Sequence, residues 1–310
     1  MSQALLLRFH RWIALVFAIP LAVIIVTGLL QSLLPLMQAA AIKPGTVTIE
    51  KVEAWMDRFD PKNETTAVAL DTYYNYFTLD GPGPEGAIYV DTRTGAESTE
   101  DSAFSNLIWS SRSIHEHLIF RMTWLVMLST AAMLIIIVIG AFMGLPRLSN
   151  SMSGWHKATA WFLLPLLFLS ALTGLMMSFG VSLSSPAPRS KPVPIREALR
   201  MVAQKHDLSG LDWIRQRGGR QMARISDGFH QRTYLVTAEG LKPAPLNLPR
   251  TFHEGVFFGI WGGVMNVILS LAFMMLLGTG VLIWSRRTFR RRRRARPPAN
   301  QPETMGAAAE

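Results

Sequence analysis

Four histidines, His10, His115, His156 and His253, stand at the ends of four long apolar stretches. A neutral imidazole offers a nitrogen lone pair to a metal, and an ionisable group kept at a membrane boundary is a functional candidate. The spacing around them repeats. His10 is followed by Thr27-Gly28 at +17 and +18, and His156 by Thr173-Gly174 at the same offsets. Ile114-His115-Glu116 parallels Phe252-His253-Glu254, and a glycine lies 25 residues after each histidine, Gly140 and Gly278. Pro20 and Pro165 fall about midway in the first and third stretches. Residues 1–147 and 148–290 therefore read as two copies of one unit, built to hold a metal cofactor.

The elements that must position these residues follow from composition. Segments 12–37, 122–145, 158–180 and 255–285 carry no Asp, Glu, Lys or Arg, and each exceeds the ~20 helical residues that cross a hydrocarbon core. Four transmembrane helices are expected, within 1–37, 113–147, 148–180 and 252–287. The first ends in Gln38-Ala39-Ala40-Ala41, like a cleavage site, but its apolar run is longer than the ~7–15 residues of a signal peptide. Arg8 and Arg11 flank helix 1, Arg147 and Lys157 bracket the 146–157 connection, and eight arginines crowd positions 286–296. Basic residues near helix ends favour the cytoplasmic side, so both termini and the middle loop are expected inside. Much of the net charge of +10 comes from the arginines at 286–296, and the 288–310 tail is read as a disordered anchor drawn to anionic lipid rather than to nucleic acid.

The two remaining connections, 38–112 and 181–251, then face outward. Val47, Ile49, Val52, Trp55, Met56 and Phe59 have helical spacing, followed by strand-like runs at 73–79 and 87–91. The second insert carries a helical pattern over 195–206 and strand patterns over 222–226 and 233–237. Tyr89 precedes Gly95 by six residues and Tyr234 precedes Gly240 by six, which extends the repeat outside the membrane. Two small α+β modules are expected.

The chain resembles the PepSY-associated transmembrane proteins, linked with bacterial iron uptake. The resemblance rests on His10-Arg11-Trp12, the two Thr-Gly pairs, Ile114-His115, Phe252–Gly255 and the Tyr89–Gly95 strand and turn, and covers about residues 5–290. It implies an integral membrane, mainly α protein of the bacterial inner membrane: a four-transmembrane-helix bundle from a two-fold internal repeat, with two PepSY-like periplasmic modules. Members include haem b proteins that reduce ferric siderophores. Beside it stands the chemistry: two facing imidazoles complete an iron octahedron whose plane is the porphyrin. Two non-covalent haem b groups are expected, the inner on His10 and His156, the outer on His115 and His253. Their partners would be a cytoplasmic flavoprotein or reduced flavin as donor and an outer ferric siderophore or other chelate as acceptor.

Arg11 and Lys157 are candidates for inner propionates, and Arg112, Arg121 and Arg250 for outer ones, each equally expected as an interfacial anchor. Gly28, Gly174, Gly140, Gly278 and Gly280 give room for a macrocycle or for close helix packing. His117 is the alternative outer ligand, but two residues turn it ~200° from His115, so only one can face inward; the repeat favours His115. His206 and His230 are expected in solvent, and Trp109, Trp213 and Tyr73 in module cores or against the chelate. With no cysteine, thiolate iron–sulfur clusters, covalent haem at Cys-x-x-Cys-His and disulfides are excluded. Gly218-Gly219 reads as an ordinary turn. A transporter built from the repeats and a regulatory protein whose modules bind peptides or peptidases remain the other classes.

Overall fold

The computed structural model describes residues 2–82, 86–98, 103–145, 149–184 and 191–294. Arg147 and the tail from 295 onward, both used above for orientation and charge, lie outside them. Two helices open the chain, α1 (Gln3–Val16) and α2 (Ala18–Ala41). Helix α3 (Ile49–Phe59) and strands β1 (Ala67–Asp71), β2 (Tyr76–Asp80) and β3 (Ala87–Asp91) follow, then α4 (Ala103–His117) and α5 (Thr123–Phe142). The second half runs α6 (Met152–Phe162), α7 (Leu164–Ser178), α8 (Ile195–Ala203), β4 (Leu211–Arg217), β5 (Arg220–Ser226), β6 (Gln231–Thr237), β7 (Gly240–Pro243), α9 (Leu248–His253) and α10 (Ile260–Arg294).

Helices α2, α5 and α10 are each long and apolar enough to cross a membrane, while α6 and α7 meet that measure only together. The expected third span is thus bent, by 67° at Leu163. Proline explains the break: it brings no N–H and its ring collides with the carbonyl four residues back. Pro165 acts on Trp161, and Pro20 acts likewise on Val16, where α1 gives way to α2. The interruption at Phe17 lies seven residues after His10 and that at Leu163 seven after His156. The 288–310 segment, expected as a disordered tail, instead begins as helix, since α10 continues to Arg294.

His115 and His253 do not begin the spans assigned to 113–147 and 252–287. They close two separate helices, α4 and α9, and the chain then turns into α5 and α10. The turns need left-handed backbone: Leu118 (φ 53), Phe120 (φ 62) and Arg121 (φ 55) in one copy, Gly255 (φ 73) and Gly259 (φ 58) in the other. Asn266 Nδ2 donates to the His253 carbonyl at 2.8 Å and ties the second turn to α10.

The inserts 38–112 and 181–251 do not form two separate sheets. All seven strands form one antiparallel sheet ordered β3-β2-β1-β4-β5-β6-β7. The halves join where β1 pairs β4, Val68 opposite Ile214 and Ala69 opposite Trp213. Each half alone would leave that edge unpaired, an open template for aggregation. One core lies on one face: Val52, Trp55 and Met56 of α3 and Ile195, Ala198, Leu199 and Val202 of α8 pack over Phe77, Leu79, Ile214, Ala223 and Val236. The β4–β5 hairpin turns at Gly218 (φ 60) and Gly219 (φ 72), the two positive dihedrals such a turn demands.

Candidate functional site

His115 and His253 are each seated by an earlier helix of their own half of the chain. His115 Nδ1 lies 2.9 Å from the Ile24 carbonyl and 3.3 Å from Thr27 Oγ1 on α2. His253 Nδ1 lies 3.1 Å from the Ser170 carbonyl and 3.5 Å from Thr173 Oγ1 on α7. A carbonyl only accepts, and each threonine hydroxyl already donates within its helix, to Val23 and Leu169 at 2.7 Å. Both Nδ1 atoms must therefore be the protonated nitrogens, leaving the Nε2 lone pairs for a metal.

His10 and His156 follow the same rule. His10 Nδ1 on α1 meets the Ile136 carbonyl of α5 at 3.2 Å. His156 Nδ1 on α6 meets Thr279 Oγ1 of α10 at 2.8 Å, and that hydroxyl donates to Met275 at 2.7 Å.

The His115 and His253 ring centroids stand 6.3 Å apart, with planes at 34°. Metal–imidazole bonds of about 2 Å, plus about 1 Å from nitrogen to ring centre on each side, place two opposed ligands roughly 6 Å apart. Among the described residues no three His, Asp or Glu converge on one point. Two nitrogens fall short of the about four to six donors most protein-bound metals take, so this donor set suits a metal that brings further ligands of its own, as haem iron does. One further polar group fits a body held between the helices: Ser129 Oγ is buried with no partner, and Ser129, Ile136 and Gly140 share a face of α5 at helical spacing.

The glycines serve the rings. A Cβ on Gly28 would come 3.0 Å from His115 Cε1, and one on Gly174 2.9 Å from His253 Cε1. Gly140 faces His10 at 3.8 Å and Gly280 faces His156 at 3.7 Å, whereas Gly278 meets nothing within 4 Å. The offset that aligns Gly140 with Gly278 is thus two residues short at the inner end.

The cationic candidates are dispersed. Arg11, beside the Trp12 ring at 5.9 Å, Lys157 and Arg121 are exposed. Arg112 pairs with Glu116 at 3.1 Å and Arg250 with Glu254 at 2.6 Å. His117 turns away from α2: its side chain is 45% exposed and Nδ1 meets Thr123 Oγ1 at 3.0 Å. His206 packs on the Tyr234 ring at 4.9 Å, and His230 approaches Asp227 at 3.8 Å. Trp109 is exposed and Trp213 lies on the sheet face away from the core, so neither fills the interior.

A polar junction between sheet and bundle has no signal in the sequence, because its members come from distant segments. Asp212 accepts from Gln38 Nε2 at the end of α2 and from Gln231 Nε2 at 2.6 Å, with Arg224 at 3.9 Å. Burial raises its pKa against the pull of Arg224. Burial, then the nearby Asp212, push Asp71 up to about 6. Glu254, next to His253, takes Arg224 at 3.2 Å as well as Arg250, and despite burial these cations hold it below the usual carboxylate range.

Residues 7–287 match a family model described as the PepSY-associated TM region. No curated protein matches the chain.

Proposed function

The chain belongs to the family of the PepSY-associated TM region, and from that premise we propose an inner-membrane electron-transfer protein that reduces a ferric chelate at its outer face. In this reading α1–α2, α5, α6–α7 and α10 are four spans with both termini cytoplasmic, since basic residues gather at those ends. His10 and His156 would hold an inner haem b and His115 and His253 an outer one. Groups held there would supply single-electron exchange.

The observation that carries the reading is the shared tautomer. Four imidazoles have Nδ1 bound to an acceptor, and the outer two stand 6.3 Å apart. Fixing Nδ1–H sets ring orientation and keeps Nε2 basic, which is what second-sphere partners do for metal-bound histidine. Ile136 and Thr279 would do this on the inner side, Ile24 and Ser170 on the outer. A cytoplasmic flavoprotein or reduced flavin supplies one electron at a time, and the outer chelate accepts it, iron passing from ferric to ferrous. Hard oxygen donors hold the smaller charge more weakly, so the chelate releases its iron.

An optical spectrum of the detergent-purified protein, oxidised and dithionite-reduced, tests this directly. Two haem b per chain by pyridine haemochrome are expected. His115→Ala or His253→Ala should remove one component, and His10→Ala or His156→Ala the other. A colourless preparation from haem-replete cells would sink the reading and leave a peptide-binding regulatory protein as the better account.

A further inference from the structure

Strand register places a group of cations that the haem sites do not use. Strands β4 and β5 set Trp213 opposite Arg224, Arg215 opposite Met222 and Arg217 opposite Arg220, and directly opposed residues share a sheet face. Ile214, Ala223 and Ile225, at the alternate positions, enter the core. Trp213, Arg215, Arg217, Arg220 and Arg224 therefore stand together on the opposite side. That side looks onto the helices bearing the outer histidines. Arg224 reaches Glu254, next to His253, while Arg112 of α4 and Arg250 of α9 repel Arg215, and Arg250 repels Arg217.

Among the described residues, positive charge outweighs negative on this face. Glu254 is shared by Arg224 and Arg250, and Arg112 is taken by Glu116. Among the described residues no carboxylate forms an ion pair with Arg215 or Arg217; Asp80 and Asp212 act on Arg215, and Glu254 on Arg217, only at longer range. The Nε atoms of Arg220 and Arg250 are buried without an acceptor. The Trp213 ring carries Arg215 at 4.3 Å and Arg224 at 5.3 Å, which steadies both guanidinium groups. Like charges opposed across a ladder, as at Arg217 and Arg220, destabilise a sheet. A counter-ion from outside the chain would relieve them.

The geometry points to an anion-binding face on which Trp213, Arg215, Arg217 and Arg220 hold an anionic ferric chelate, one presenting carboxylate or phenolate oxygens, against the α9 end of the bundle. Guanidinium forks match such oxygens two at a time, whereas a neutral or cationic hydroxamate chelate offers them nothing. That the ligand is ferric rests on the reductase reading above; that it is anionic does not.

Redox-inert gallium complexes separate the two. Full-length protein in nanodiscs is titrated calorimetrically with gallium citrate and with the gallium complex of a neutral trihydroxamate. The citrate complex should bind more tightly, with affinity falling as salt rises. Arg215→Gln with Arg217→Gln should weaken it by about tenfold or more while the neutral complex and the haem spectrum stay unchanged. The Arg215→Lys, Arg217→Lys pair should recover part of the affinity, charge without the fork. Equal binding of both complexes, or no loss in the Gln variant, overturns the proposal. A haem band shifted in that variant without chelate would assign the arginines to propionates instead. Citrate binding abolished in anionic-lipid discs but kept in zwitterionic ones would assign them to lipid phosphate. Because gallium accepts no electron here, intact binding in a protein that reduces nothing would sink the reductase reading and leave the anion site standing.

Discussion

Each imidazole is aimed through Nδ1, by one acceptor at His10 and His156 and by two at His115 and His253, and is given room by one glycine, so a change at either should act through the ring. Gly28→Val sets a branched side chain where a Cβ alone already comes 3.0 Å from His115 Cε1. Overpacking of this kind costs about 1–3 kcal/mol, and in the haem reading the ring yields. The expected result is loss of the outer haem component with the inner retained, read from the reduced spectrum. Gly278→Val, facing open space, should leave both components, and a loss there would mean that the glycines serve helix packing generally. Asp71 makes a separate prediction outside the membrane. An unfolded aspartate titrates near 3.9, whereas burial and Asp212 push the folded carboxyl up to about 6. The folded chain keeps a proton that the unfolded chain has lost, so this contribution is full below about pH 4 and is lost as pH rises towards 6. The loss is on the order of 3 kcal/mol. Asp71→Asn should flatten that part of the stability curve in thermal melts between pH 4 and 7, and an unchanged slope would refute the assignment.

Short helices carry the outer histidines, and their turns make the two copies unequal at the level of elements. In the second copy the left-handed positions fall on Gly255 and Gly259; in the first they fall on Leu118, Phe120 and Arg121. A side chain in that region costs about 1–2 kcal/mol. Gly255→Ala adds this strain and drives a Cβ to 2.5 Å from the Gly262 carbonyl oxygen. It should lower the melting temperature and weaken outer haem retention together. Arg121→Gly, at the position six residues after His115 that Gly259 holds after His253, should instead raise stability by about 1 kcal/mol in denaturant unfolding. These turns are poorly legible in the chain because Ile119-Phe120 continues the apolar run. Periodicity therefore joins α4 to α5, and only the backbone dihedrals separate them.

Across the whole molecule the two copies are bound twice, once in the bundle and once in the sheet. Helix α2 packs on α10 and α5 on α7, and β1 pairs β4 above them. Since the chain has no cysteine, Ala69→Cys with Trp213→Cys offers a single possible bridge. Opposed antiparallel Cα atoms lie about 4.5–5.5 Å apart, within disulfide reach. Oxidation should link the halves so that proteolysis in the 181–190 connection no longer separates the fragments on a non-reducing gel. Free fragments would mean two independent modules. Local pattern determined a good deal by itself: the apolar spans, the Thr-Gly spacing, the histidine set and the helices α3 and α8 all follow from composition and period. Neither joining strand was legible. β1 is short and alanine-rich, and β4 carries a bulge between Leu211 and Trp213 that breaks its alternation. Long-range pairing decides what such strands join, as it decides which glycine meets which ring, why His115 and not His117 reaches α2, and how four arginines from one hairpin come to share a face. Sequence spacing reports neighbours within an element; contacts between elements far apart in the chain arise only when packing brings them together.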